Sequence, residues 1–68
     1  MKLSARNMLK GTIVEVEKGQ TTAHVCIDVA GTVVTASITN EAVDDLKLQK
    51  GQQAYAVIKA SNVMVAID

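Results

Sequence analysis

Aromatic side chains are almost missing from this sequence: Tyr55 stands alone, with no Phe and no Trp. Proline is absent, and there is one cysteine, Cys26, and one histidine, His24. Each shortage removes a class of explanation. A groove that binds single-stranded nucleic acid needs stacking aromatics and a surplus of positive charge. This chain has neither, since seven basic residues are balanced by seven acidic ones. One cysteine forbids a disulfide within the chain. One cysteine and one histidine cannot close a tetrahedral zinc site on their own. No apolar run is long enough for a signal peptide or a membrane span, so the reading expects no membrane partner. A lone free thiol suits a reducing compartment, which makes the cytoplasm the expected location.

What is present is aliphatic. Hydrophobic residues make up 49% of the 68 residues, far too many for a disordered chain without net charge. The length fits one domain, 1–68, and falls below the size at which a single core stands unaided. With disulfide and zinc excluded as staples, oligomerisation remains. Adjacent apolar pairs agree: Ile13 with Val14, Val33 with Val34, and Val57 with Ile58 put apolar side chains on both faces of their strands. The surplus face fits packing against other subunits.

Along the chain, "LKGTIVEVE" (9–17) is rich in β-branched residues and ends in "EKGQ", where Gly19 marks a hairpin turn. From residue 21 to 29 the pattern alternates. Thr21, Ala23, Val25, Ile27 and Val29 share one face, and Thr22, His24, Cys26 and Asp28 share the other. "AGT" at 30–32 turns the chain into a third strand, 33–39, with Val34, Ala36 and Ile38 inward. The period then changes. Ala42, Val43 and Leu46 lie at helical spacing, Thr39 or Asn40 is the N-cap candidate, and Glu41 and Asp44 suit the positive end of the helix dipole. Gly51 is expected to close the helical segment. Two more strands are expected, from Ala54 ("AYAVIKA") and from Asn62 ("NVMVAID"). Three strands, a short helix and two strands is the element order of a five-stranded OB-type β-barrel, mainly β, with its helix between strands three and four. An open five-stranded sheet with one helix is the alternative.

Little in the sequence points to catalysis. His24 and Cys26 lie two apart on one strand face, with Asp28 continuing the row, but such pairs on a sheet surface are more often structural and no third orienting group is evident. The expectation is a protein that is not an enzyme. Glu41, Asp44 and Asp45 lack calcium-loop spacing and read as a solvated helix start. Three small polar islands remain: Ser4-Ala5-Arg6-Asn7, Lys59-Ala60-Ser61-Asn62, and Thr39-Asn40. The first two set a hydroxyl and a cation within three residues, with alanine allowing close backbone approach. Such groups suit an oxyanion, but islands of this kind, taken one by one, are more often ordinary turns.

Three stretches, "KLSARNMLKGTIVEVEKGQTTAHV", "SITNEAVDDLKL" and "AYAVIKASNVMVAID", resemble the molbindins, small molybdate-binding proteins built from a single Mop domain. The related TOBE domains of molybdate transporter ATPases and molybdate-responsive regulators are similar. The resemblance spans essentially the whole chain and is carried by the "SARN-x-LKG" opening, the "KG-x-x-TA" turn and the "VIKAS-x-VMV" ending. It implies an OB-type barrel and a homohexamer, a trimer of dimers, holding molybdate or tungstate at subunit interfaces. The oxyanion would be a bound ligand and not a catalytic cofactor, with no protein atom ligating the metal directly. By resemblance, the principal site comprises Ser4, Ala5 and Arg6, together with Lys59, Ala60, Ser61 and the hydroxyl of Thr39, drawn from different subunits. A second site is implied at the "GQTTA" turn, with Gln20, Thr21 and Thr22. Thr32 departs from the family, which often carries further glycine or polar residues there. A chain starting at Met1 and stopping after its last strand fits a free-standing form.

The expected function is therefore storage, buffering or homeostasis of intracellular molybdenum. The alternative is an oxyanion-sensing regulatory or transporter-associated module that acts through a protein partner.

Overall fold

The computed structural model describes all residues, 1–68. The elements are β1 (Asn7–Lys18), β2 (Thr22–Val29), β3 (Thr32–Thr39), α1 (Asn40–Leu46), β4 (Gln53–Ile58) and a single 3₁₀ turn, η1 (Ala60–Asn62). The strands form one antiparallel sheet in the order β3-β2-β1-β4.

β1 organises the sheet because it serves two partners. Its first half, Asn7–Thr12, pairs with β4, and from Thr12 to Lys18 it pairs with β2. The change of partner is accompanied by a bulge: Ile13 faces Ile27 and Glu15 faces Cys26, leaving Val14 unmatched. A bulge bends the strand and increases its twist. Gly11 sits just before it. A Cβ there would collide with the Asp28 carbonyl oxygen and lie 2.8 Å from Ile27 Cγ2, so the two strands approach as closely as they do only because residue 11 has no side chain.

Hairpin chemistry explains the β2–β3 connection. Ala30 and Gly31 both have positive φ, 50° and 91°, as a two-residue turn of type I′ requires. The Gly31 N–H also donates to Asp28 Oδ1 at 2.9 Å. The inward alternation read from the sequence holds: Ala23, Val25 and Ile27 are buried, together with Ile13, Val43 and Ala56, and Val34, Ala36 and Ile38 pack against that cluster. These six are the only buried residues.

Two expectations need correction. Gly51 does not end the helix. α1 stops at Leu46, with Lys47 left-handed (φ 53°) and the N–H groups of Lys47 and Leu48 returning to the carbonyls of Asp44 and Val43. Gly51 (φ 92°) serves the next turn, where its N–H donates to the Ile13 carbonyl at 2.8 Å. The fifth strand is also absent from the sheet. After η1, residues 63–68 join no strand, so four strands stand where five were expected and the barrel is not closed. Hydrophobic pattern reports which residues avoid water but not which edge they pair with, and a strand exists only against a partner.

Candidate functional site

Asn7 and Ile58 form the last matched pair of the β1–β4 ladder. Asn7 Nδ2 also donates to the Ile58 carbonyl at 3.1 Å, latching the two strand ends. Residues 4–6 precede this pair and residues 59–61 follow it, so the two polar islands leave the sheet at the same point. One chain therefore brings Ser4, Ala5 and Arg6 to the same end as Lys59, Ala60 and Ser61. All are exposed except Ala5, which is half-buried. Lys59 is extended (φ −64°, ψ 136°) and leads into η1, which contains Ala60 and Ser61.

This end carries two cations, Arg6 and Lys59, beside two serine hydroxyls. The single ion pair in the chain joins Lys18 to Asp44, so neither Arg6 nor Lys59 is matched by a carboxylate. Arginine offers a planar fork of donors, lysine a mobile point charge, and the serine hydroxyls supply further donors. Such a set can hold an oxyanion.

Thr39 lies elsewhere. It pairs with Thr22 at the start of β2, beside the β1–β2 turn and at the far end of β1 from Arg6. Its hydroxyl caps α1, accepting the Ala42 N–H at 3.0 Å. Within one chain it accompanies Gln20, Thr21 and Thr22, not the six residues of the opposite end.

The β1–β2 turn has its own organisation. Asn40, absent from the predicted site, holds it from two sides: its backbone N–H donates to the Thr21 carbonyl and its Nδ2 to the Gly19 carbonyl, both at 2.9 Å. Gly19 N–H closes onto the Thr22 carbonyl at 2.7 Å. The carbonyls are thereby occupied, while the N–H groups of Gln20 and Thr21 have no partner within the chain. Asn40 Oδ1 is buried without a partner. A shallow polar pocket of about 160 Å³ opens beside the turn, lined by Glu17, Gly19, Thr22 and His24. Sequence reasoning noted His24 for its neighbour Cys26; the register instead sets it across from Glu17. Pairing between strands carried that information, and period-two alternation within one strand does not contain it.

The largest cavity has a different character. It measures about 440 Å³ and is lined only by hydrophobic residues, from all four strands and the α1–β4 region.

Comparison with known proteins bears on the chain's family and fold. The sequence matches the TOBE domain over residues 3–65. It is 46% identical over 69 residues to a probable molybdenum-pterin-binding protein of Haemophilus influenzae, covering all of both chains. The structure superposes on a molybdate-binding protein from Sporomusa ovata with a TM-score of 0.94 and 39% identity, covering 98% of this chain and all of that one. It also superposes on the cytoplasmic molybdate-binding protein ModG, in a form with molybdate bound, with a TM-score of 0.89 and 48% identity, covering 94% of this chain and 46% of that longer one. No helix of the structure is long and apolar enough to cross a membrane. With the TOBE model matched over residues 3–65 and a relative 46% identical along its whole length, the chain belongs to the TOBE domain family.

Proposed function

We propose that this chain is a single-domain binding protein that takes up molybdate or tungstate reversibly, at subunit interfaces of a homo-oligomer, for storage, buffering or homeostasis of molybdenum in the cytoplasm. The observation that carries this reading is the meeting of Ser4, Ala5 and Arg6 with Lys59, Ala60 and Ser61 at one end of the β1–β4 ladder, where neither cation has a carboxylate partner. A tetrahedral dianion needs positive charge and several donors, and this cluster supplies both. Thr39 stands at the opposite end of its own chain, so a site that includes its hydroxyl takes it from a neighbouring copy. The free N–H groups of Gln20 and Thr21 are the donors of a second site, with the hydroxyls of Thr21 and Thr22 beside them.

The apolar cavity does not suit a pterin. A pterin in a pocket lined only by hydrophobic residues would leave its ring donors and acceptors unpaired, and burying such groups without partners is costly. Selectivity follows from donor chemistry. Phosphate is partly protonated near neutral pH, and its proton requires an acceptor, of which a cluster made mostly of donors offers few. Equilibrium dialysis with molybdate, tungstate, sulfate and phosphate, with native mass measured in parallel, tests the reading. Saturable binding of molybdate and tungstate that excess phosphate barely displaces is expected. Equal binding of all four anions would reduce the cluster to a generic anion patch.

A further inference from the structure

The β1–β2 turn carries donors for an anion, and two ionisable side chains stand beside it. On the outer face of the sheet Glu17 lies directly across from His24, and His24 across from Ser37 on β3. Residues paired in this way hold their Cβ atoms about 4.5–5.5 Å apart. Both Glu17 and His24 are exposed, and no ion pair joins them. Together with Gly19 and Thr22 they line the polar pocket of about 160 Å³ beside the turn. The unpartnered N–H groups of Gln20 and Thr21 belong to the same turn. The surrounding elements add no further charge to this lining. β3 and β4 carry no charged residue. On β2, Cys26 and Asp28 continue the row of His24, and on β1 Glu15 stands across from Cys26; none of the three lines the pocket. Lys18 is paired with Asp44, and Glu41 and Asp45 lie outside the lining. The pocket wall therefore has one carboxylate and one imidazole.

A doubly charged oxyanion in this pocket meets a lining whose net charge depends on a proton. With His24 neutral, the lining is negative through Glu17 and repels the ion. With His24 protonated, the charges of the wall cancel and the imidazolium adds an N–H donor. The dianion thus binds the protonated form better, and by linkage its binding draws a proton from solvent onto the imidazole. We propose that Glu17 and His24 are further binding residues of the turn site, and that this site takes up its oxyanion together with one proton, carried by His24. This rests on the reading of the turn as an oxyanion site. A bound dianion favours the imidazolium, so affinity is highest below the midpoint of the imidazole and falls as pH rises through it, by at most about tenfold per pH unit for one proton. Arginine and lysine keep their charge across the same range, so the principal site stays loaded while the turn site empties. Glu17 makes the proton necessary: without its carboxylate, the backbone donors meet the dianion with no opposing charge.

His24 is the only histidine, so its imidazole C–H resonance reports its charge without ambiguity. That resonance is followed in the full chain from about pH 5 to about pH 8, with and without saturating molybdate. With molybdate, the midpoint is expected to rise by about half a pH unit or more, equivalent to roughly threefold in affinity. An unmoved midpoint where dialysis shows molybdate bound overturns the coupling alone. No molybdate bound overturns the functional reading and the coupling with it. A second measurement isolates the turn by weakening the principal site with Arg6→Ala. Calorimetric titration of this variant with molybdate, in two buffers of different ionisation enthalpy, is expected to give different heats, the mark of proton uptake. Binding is expected to weaken about threefold or more between about pH 6 and about pH 8. Equal heats in the two buffers overturn the proposal. Adding His24→Gln is expected to abolish both the proton uptake and the pH dependence, and uptake that persists removes His24 as the carrier. Adding Glu17→Gln instead is expected to strengthen binding at the higher pH, and unaltered binding there removes Glu17 from the site.

Discussion

Arg6 is the only arginine of the chain, and no carboxylate pairs with it. If its guanidinium faces the oxyanion, Arg6→Ala removes one charged hydrogen-bonding partner, a loss of about 2–5 kcal/mol at an interface. Binding is then expected to weaken on the order of thirtyfold or more, at roughly 1.4 kcal/mol per factor of ten. Arg6→Lys recovers part of the loss, since a point charge replaces a planar fork. Calorimetric titration with molybdate, beside melting curves with and without it, checks this; an unchanged dissociation constant in Arg6→Ala would defeat the assignment. Gly11 makes a different kind of prediction. Its missing Cβ lets β1 approach the Asp28 carbonyl, and a backbone atom does not move aside as a side chain does. Gly11→Ala is expected to cost about 1–3 kcal/mol, the usual range for overpacking, read as a lower urea midpoint. Arg6 was legible beforehand because a lone arginine between small polar residues is conspicuous. Gly11 was not, because a glycine within a strand says nothing of what lies across from it.

At the scale of elements, α1 shows what local chemistry can announce. Thr39 was an N-cap candidate from its position alone, and its hydroxyl does accept the Ala42 N–H. Thr39→Ala is expected to cost about 1 kcal/mol of stability, the typical value of a lost N-cap. A role in binding is separable from the cap. Thr39→Asp retains a capping oxygen but adds negative charge, so near-wild-type stability with weakened molybdate binding is expected if the hydroxyl lines an oxyanion site. Unaltered binding in Thr39→Asp would leave Thr39 as a cap only. The other end of the helix was misread because glycine is the usual left-handed residue, whereas Lys47 takes that conformation here at φ 53°. Lys47→Gly is therefore expected to raise the urea midpoint, since the left-handed region costs an L-residue roughly 1–2 kcal/mol.

For the whole molecule, six buried residues out of 68 are a small core, while Leu46, Val33, Tyr55 and the apolar residues beyond η1 stay largely exposed. Burying a large aliphatic side chain is worth about 1.5–3 kcal/mol, so the single chain leaves much of that stabilisation unused. The thermal midpoint is expected to rise with protein concentration, as mass action requires of a folded state that depends on association. A stable monomer by ultracentrifugation, with a concentration-independent midpoint, would remove the basis for interfacial sites. Bound oxyanion should add to stability by the same linkage, about 2.7 kcal/mol when its concentration is 100 times the dissociation constant.

The sequence by itself determined β1 to β4, the start of α1 and the inward faces of β2 and β3, because alternation, turn residues and capping are local properties written within a few positions of one another. It also excluded a disulfide within the chain and a closed Cys/His zinc site, since there is one cysteine and one histidine. Tertiary structure alone decided which distant residues meet. Pairing of β1 with β4 brings Arg6 to Lys59, while Thr39 is carried to the far end with Thr22, a division that no spacing along the chain expresses. It also decided that "NVMVAID" is apolar without being part of the sheet, because a strand is defined by the edge it pairs with, and the four strands of this chain leave that edge open.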